Sequence, residues 1–126
     1  MIKAVVGILQ RADKMLIAER PVGKPYSGYW EFPGGKIEQN ETSKAALKRE
    51  LFEELDIVVT SAQFICDHVH AYPDKTVFLE IWRVTNFRGE PISKENQLLR
   101  WASFSELLTM PLLEGNWPII EKLKNC

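Results

Sequence analysis

Residues 34–57 read GGKIEQNETSKAALKRELFEELDI, a pair of glycines followed by a run of good helix formers. Thr42 and Ser43 both suit the position that caps the N-terminus of a helix. The pattern therefore predicts a helix from Thr42 to Leu55, entered through a glycine-containing loop.

Three glutamates crowd the second half of this helix. Glu50, Glu53 and Glu54 are spaced i, i+3 and i+4, so their carboxylates lie on one face. Each like-charge pair costs about 0.2–0.5 kcal/mol on an exposed helix, and the helix dipole disfavours anions near the C-terminus. The cluster is unfavourable by itself, which suggests a positively charged ligand; for an isolated cluster, a solvated acidic face is the simpler alternative.

The residues around the cluster favour a divalent cation. Mg²⁺ binds carboxylates together with water and phosphate oxygens. Gly34 and Gly35 allow the backbone to approach a ligand closely. Glu41 precedes the helix, and Arg49 can pair with a carboxylate or hold the loop.

The composition is that of one globular domain covering residues 1–126. The chain has a net charge of −1 and 45% hydrophobic residues, with no run long enough to cross a bilayer. No basic field is present to bind a nucleic-acid backbone, so a nucleotide ligand is expected to be free. Cys66 and Cys126 have neither disulfide nor metal-ligand spacing, which fits a reducing cytoplasm. We expect a cytoplasmic monomer without membrane or nucleic-acid partners.

Strand-like segments surround the helix. The sequence predicts strands at residues 2–10, 15–19, 57–59, 63–71, 76–87 and 98–104. A second helix is predicted over residues 116–125, with Pro118 near its start and apolar residues at helical spacing. Strands between two helices indicate a layered α/β arrangement.

Residues 34–57 resemble the Nudix box, in which a glycine, a glutamate, an Arg-Glu pair and a Glu-Glu pair recur at fixed spacing. The matching positions are Gly35, Glu41, Arg49, Glu50, Leu51, Glu53, Glu54 and Ile57. Asp56 stands where the box has glycine, and aspartate tolerates the left-handed conformation better than most residues, so we predict a positive φ at Asp56. The resemblance implies an α+β fold, an α/β/α sandwich with a mixed central sheet between helices.

Nudix enzymes hydrolyse nucleoside diphosphates linked to another group, using Mg²⁺ or Mn²⁺. The resemblance implies that Glu50, Glu53 and Glu54 hold the metal, with the carbonyl of Gly34 as a further ligand. Paired metal ions can neutralise a polyphosphate and align a water molecule for attack. We expect Glu50, Glu53 or Glu95 to accept the proton of that water, with Glu50 as the first candidate.

The resemblance extends beyond the box to the MutT-type members, which remove oxidised guanine nucleotides from the nucleotide pool and so prevent mutation. The segments EFPGGKIE, YPDK, KENQLLRW and EGNWP carry it. The subgroup has a metal-binding glutamate at the position of Glu95 and a base-reading asparagine at that of Asn116. Oxidation at C8 makes N7 of guanine an N–H donor, so one amide could donate to O6 and accept from N7–H. A surface charge and a helix cap, respectively, are the alternatives.

Further positions match the nucleotide site of that subgroup, namely Arg20, Glu31, Phe32, Pro33 and Gly34. Phe32 could pack on the base, and Arg20 could contact a phosphate or the base edge. The alternatives are an ordinary core aromatic for Phe32 and a surface charge for Arg20. Trp117 is a further pocket candidate.

His68 and His70 alternate on a predicted strand and share a face. Two histidines could bind a metal ion, but the sequence shows no third metal ligand to accompany them. We therefore expect both to be structural and solvent-facing.

Three functions are compatible with the sequence. The leading one is an Mg²⁺-dependent nucleoside triphosphate pyrophosphohydrolase that converts 8-oxo-dGTP to the monophosphate and pyrophosphate. The second is a related enzyme that prefers an oxidised or methylated cytidine triphosphate. The third is a non-catalytic module that reads oxidised guanine in DNA, which the mild acidity and the retained carboxylates disfavour.

Overall fold

The computed structural model describes residues 1–124. Its strands are β1 (Ile2–Arg11), β2 (Lys14–Glu19), β3 (Trp30–Glu31), β4 (Gly34–Lys36), β5 (Val58–Tyr72), β6 (Lys75–Arg88) and β7 (Leu99–Ser103). Its helices are α1 (Ser43–Leu55), α2 (Phe104–Leu107) and α3 (Trp117–Lys124), with a 3₁₀ turn (Glu114–Asn116) directly before α3. Asn125, the predicted end of the last helix, and Cys126 lie outside the described residues.

Strand β1 organises the sheet. It pairs in parallel with β6 and antiparallel with β4, where Val5 lies opposite Gly35. Its end forms a hairpin with β2, which also pairs with β3 and β7. The parallel pairing makes the sheet mixed. The β1–β4 pairing holds Gly34 and Gly35 directly beside β1.

The side chains of β1 alternate between two hydrophobic cores. Val5 and Leu9 pack against α1, whereas Val6 and Ile8 pack in the core that contains residues of α2 and α3. Successive residues of a strand point to opposite faces, so one strand serves both layers. The predicted α/β/α sandwich is confirmed. Among residues 1–124, no helix has the length and apolar character needed to span a membrane.

Both ends of α1 follow local rules. The Thr42 hydroxyl accepts a hydrogen bond from the Ala45 amide at 3.1 Å, which caps the first turn. Asp56 has φ 58° and ψ 36°, and its N–H donates to the carbonyl of Phe52. The predicted positive φ at Asp56 is confirmed.

Several boundaries differ from the predictions. The strands predicted at 57–59 and 63–71 are one strand, β5, whose pairing with β6 is irregular near Ser61 and between Phe64 and Cys66. The irregularity near Ser61 falls in the predicted gap between the two strands, because it interrupts the alternating pattern there. The short elements β4 and α2 were not predicted, because three or four residues carry too little periodicity.

The prediction that His68 and His70 face solvent is wrong. Both are half-buried, and each has a buried Nε2 atom without a hydrogen-bond partner among the described residues. They share the face of β5 that carries Cys66, which packs against the core containing α3. The polar residue type suggested exposure, but α3 covers this part of the strand.

Replacing Asp56 tests the left-handed helix end. Asp56→Gly and Asp56→Ala both remove the exposed carboxylate that lies 3.7 Å from the Lys94 ammonium, but only glycine relieves the cost of positive φ. The glycine variant should therefore exceed the alanine variant by about 1 kcal/mol in free energy of unfolding, measured by urea denaturation. Equal stabilities would mean that this residue is not strained.

Candidate active site

Glu54 is the buried carboxylate at the C-terminal end of α1. Glu54 is 8% exposed, and its Oε2 accepts a hydrogen bond from the Gly34 amide at 3.0 Å. Burial is the main cause that raises the pKa of Glu54 to about 9; the negative charges of Glu95, Glu31 and Glu50 contribute to this increase, and the Gly34 hydrogen bond opposes it. In the absence of a cation, this carboxyl is therefore protonated at neutral pH.

The glycine pair of β4 is required by close packing. A Cβ at Gly34 would lie 2.0 Å from the carbonyl oxygen of Val5, and one at Gly35 would lie 2.3 Å from Glu50 Oε2. The backbone therefore passes directly beside the α1 carboxylates. A larger residue at position 35 would displace the Glu50 carboxylate or the strand.

Arg49 holds Glu50 and the loop that precedes α1. Its guanidinium donates to the two carboxylate oxygens of Glu41 at 2.7 and 2.9 Å, to Glu50 Oε1 at 2.9 Å and to the carbonyl of Lys36 at 2.9 Å. The hydrogen bonds from Arg49 lower the pKa of Glu41 to about 2. The pKa of Glu50 is nevertheless raised, mainly by burial, although its pairing with Arg49 lowers it.

Glu53 is placed differently from its neighbours on α1. Its side chain is 53% exposed, and its nearest charged partner is Arg49, at 3.4 Å. The cavity beside Glu50 and Glu54 does not have Glu53 in its wall. Of the three helix glutamates, one is buried, one is half-buried and one is exposed.

Glu95 is brought to the same cavity by the loop between β6 and β7. The Lys94 amide donates to the Glu54 carbonyl at 2.9 Å, and the Ile92 amide donates to the Leu55 carbonyl at 3.0 Å. These bonds use the unpaired carbonyls at the end of α1. The resulting cavity, of about 230 Å³, is lined by Arg20, Pro21, Lys24, Glu31, Gly34, Glu50, Glu54, Glu95 and Gln97.

The donor set of this cavity fits a hard divalent cation. The cavity wall includes Glu31, Glu50, Glu54 and Glu95, and carboxylates are ligands of Mg²⁺ and Mn²⁺. The buried Glu54 lies among like charges that a cation would compensate. Within residues 1–124, no three carboxylate, imidazole or thiolate side chains are already close enough together to hold a metal ion. Arg49 competes with a cation for Glu50 and Glu53, since it contacts both.

A second cavity, of about 130 Å³, adjoins the first and shares Glu31 and Gly34 with it. Asn116, 7% exposed, lies in its wall. Its Oδ1 accepts from the Phe32 amide at 3.0 Å, and its Nδ2 donates to the Leu113 carbonyl at 3.3 Å. Its amide oxygen thus bonds to the β3–β4 segment instead of capping α3, leaving one N–H and one acceptor site unused.

The remaining predicted residues lie around both cavities. Arg20 donates to the Pro25 carbonyl at 3.0 Å and to Glu31 at 3.3 Å, and burial raises the pKa of Glu31 despite this partner. Phe32 is 3% exposed and belongs to the core, and it also lines the second cavity. The carbonyl of Pro33 accepts from the Gly7 amide at 2.9 Å, which anchors the segment to β1.

The sequence missed Tyr72, which lines the second cavity from the end of β5. An aromatic residue before a proline turn gives no local signal of a pocket. Trp117, a predicted pocket candidate, is the first residue of α3; it packs against the core and lies outside the walls of both cavities.

A mixed sheet between helices, with α1 and a glycine strand presenting carboxylates to a polar cavity, defines a Nudix-type domain. Comparison with known proteins agrees: the NUDIX domain family matches residues 1–123. The chain belongs to the Nudix family and is a Nudix hydrolase.

Similar proteins cover nearly the whole chain. The CTP pyrophosphohydrolase of Escherichia coli K12 is 38% identical over 121 residues, 96% of this chain and 90% of that protein. An 8-oxo-dGTP diphosphatase of the same organism is 34% identical over 124 residues, 98% of this chain and 96% of that protein. The solution structure of the E. coli ORF135 protein superimposes with a TM-score of 0.87 at 37% identity, covering 99% of this chain and 89% of that one.

Replacing Glu54 tests the buried carboxylate. Glu54→Gln keeps an acceptor for the Gly34 amide but cannot ionise, so the metal-free variant should exceed the wild type by about 1 kcal/mol or more in free energy of unfolding at pH 8. A carboxylate whose folded pKa is raised stabilises the fold below its ordinary pKa near 4.5, and this stability is lost as pH rises towards about 9. The difference should therefore shrink between pH 8 and pH 5 in urea titrations.

The exposed Glu53→Gln is the matched control for this experiment and should change the free energy of unfolding at pH 8 only slightly. Mg²⁺ should stabilise the wild type more than Glu54→Gln. A Glu54→Gln difference that is constant over this pH range would contradict the assigned burial effect.

Proposed function

We propose that this Nudix pyrophosphohydrolase hydrolyses free oxidised guanine nucleotides, with 8-oxo-dGTP as its substrate and the monophosphate and pyrophosphate as products. The observation that carries the proposal is the junction of two cavities at Glu31 and Gly34. One cavity has the charge to bind a polyphosphate and its cation, and the other has an amide suited to a base. Removing such nucleotides would prevent their incorporation into DNA.

The acidic cavity is the proposed phosphate end. Glu50, Glu54, Glu95 and the carbonyl of Gly34 would hold Mg²⁺, or Mn²⁺ instead, with Glu53 recruited from the helix surface. When bound, the metal would supply charge neutralisation for the polyphosphate. Arg20 and Lys24, in the same wall, would contact phosphate oxygens.

Glu50 is the proposed base for the attacking water. It is half-buried, and burial raises its pKa towards the range in which a carboxylate accepts a proton effectively. Arg49 fixes one of its oxygens at 2.9 Å, which leaves Oε2 beside Gly35 for the proton. Glu53 is the second candidate, because its greater exposure gives water free access to it.

Asn116 is the proposed base reader. Its unused N–H and acceptor site match O6 and N7–H of the oxidised base, whereas ordinary guanine presents a lone pair at N7. When a site is built on a buried hydrogen bond, kcat/KM for an analogue that cannot form this bond is lower by up to about 10⁴–10⁵-fold. Phe32 would form an apolar wall next to this amide.

A cytidine nucleotide is the second candidate substrate, favoured by the E. coli CTP pyrophosphohydrolase at 38% identity. The DNA-reading module is less well supported. The chain retains every carboxylate of the Nudix box, and its net charge of −1 provides no field for a duplex.

Substrate choice can be tested by measuring kcat/KM with Mg²⁺ for 8-oxo-dGTP, dGTP and 5-hydroxy-CTP, together with the released product. We expect pyrophosphate and the highest efficiency for 8-oxo-dGTP. Asn116→Ala should reduce the ratio of 8-oxo-dGTP to dGTP efficiencies by about tenfold or more. An unchanged ratio would reject the reading role of Asn116, and a preference for 5-hydroxy-CTP would replace the guanine assignment with the cytidine one.

The proton-accepting role can be tested with Glu50→Gln, which keeps size and polarity. We expect kcat to fall by about 10²–10⁴-fold, while nucleotide binding measured by calorimetry changes little. Glu90→Gln is the control, because Glu90 is exposed and pairs with Arg11 away from both cavities. Turnover by Glu50→Gln within about threefold of the wild type would reject the assignment.

A further inference from the structure

Besides the bond from Asn116 Nδ2 to the Leu113 carbonyl, four hydrogen bonds hold the turn that carries Asn116. The Leu113 amide donates to the Trp30 carbonyl at 2.8 Å, and the Asn116 amide donates to the Leu113 carbonyl at 2.9 Å. The Phe32 amide bonds to the Asn116 side chain, as described above. The fourth bond comes from another element: the Gly115 amide donates to the hydroxyl oxygen of Tyr72, the last residue of β5, at 3.1 Å.

The structure around Gly115 is shaped to admit this tyrosine. A Cβ at position 115 would lie 2.3 Å from the Tyr72 oxygen, although the φ of Gly115 is one that other residues adopt. Glycine is therefore required here for space. Without it, the hydroxyl could not reach the backbone amide next to Asn116.

Neighbouring side chains fix the ring of Tyr72. His70 packs edge-on against it, with ring centroids 4.6 Å apart, and Lys75 Nζ lies 5.6 Å from the ring centroid. Burial raises the pKa of Tyr72, so its hydroxyl stays neutral. Among residues 1–124, this hydroxyl accepts from Gly115 but donates to no acceptor.

We propose that Tyr72 is a positioning residue for base selection. By accepting a hydrogen bond from the Gly115 amide, its hydroxyl fixes the 113–116 turn so that the Asn116 amide faces the second cavity. The inference rests on the proposed function of that cavity. It assigns a specificity role to the end of β5, far in sequence from both the acidic helix and the Asn116 turn. Tyr72→Phe removes only the hydroxyl and keeps the ring.

The test is steady-state kinetics of full-length Tyr72→Phe with Mg²⁺ and 8-oxo-dGTP or dGTP. Loss of one hydrogen bond should raise KM for 8-oxo-dGTP by about three- to tenfold and lower the preference over dGTP, with kcat within about twofold. The control is Tyr29→Phe, which removes an exposed hydroxyl outside both cavities and should leave both constants unchanged. A stability role alone would lower the melting temperature without moving KM or the substrate ratio, and that outcome would overturn the proposal.

A double-mutant cycle gives an independent test. Gly115→Ala should raise KM for 8-oxo-dGTP in the wild-type background, because the added Cβ meets the Tyr72 hydroxyl. In the Tyr72→Phe background, the same substitution should raise KM much less. Equal effects in both backgrounds would overturn the proposal. The side-chain amide resonances of Asn116 should also shift in Tyr72→Phe in ¹H–¹⁵N spectra.

The two proposals fail in different ways. A wild type without preference for 8-oxo-dGTP would reject the guanine assignment, and Tyr72 would then be judged by KM for whichever triphosphate has the highest kcat/KM. Unchanged KM for that substrate, with unchanged Asn116 resonances, would reject the role of Tyr72 even if the enzyme prefers 8-oxo-dGTP.

Discussion

The bond from the Gly34 amide to the buried carboxylate of Glu54 is the contact on which the acidic site depends. It joins the last turn of α1 to β4. The backbone carbonyl of Glu54 also accepts from the Lys94 amide and so holds the loop that carries Glu95. A buried carboxylate is costly without partners, yet this one connects a helix, a strand and a loop. The elements of the site therefore meet at Glu54, whose buried negative charge a bound cation would stabilise.

The β3–β4 segment links the two ends of the site. Glu31 and Gly34 belong to the walls of both cavities, and Phe32, between them, bonds to Asn116 through its backbone. The β4 pairing with β1 fixes this segment in the sheet. In the proposed function, the distance between the polyphosphate and the base would thus be set by a few residues of rigid backbone, as precise catalysis requires.

Sequence reasoning succeeded where the signal was local. The bounds of α1, its Thr42 cap and the left-handed Asp56 all follow from neighbouring residues. It could not separate the roles of adjacent glutamates: helical spacing makes Glu53 and Glu54 each a neighbour of Glu50, but packing buries Glu54 and exposes Glu53. Tyr72 was missed because its partner, Gly115, is distant in sequence. Contacts of this kind depend on how the sheet brings separate segments together, which no local pattern records.

The amide of Asn116 does not by itself distinguish oxidised guanine from cytosine. Oxidised guanine offers O6 as an acceptor and N7–H as a donor, and cytosine offers N3 as an acceptor and its exocyclic amino group as a donor. One amide with one free N–H and one free acceptor site can bind either pair. If the second cavity binds the base as proposed, ring size would be read by its apolar walls, which include Phe32, Leu79 and Ile119. In the proposed function, base choice would therefore depend on how rigidly the Asn116 turn is held against those walls, since a turn free to shift would accommodate both rings.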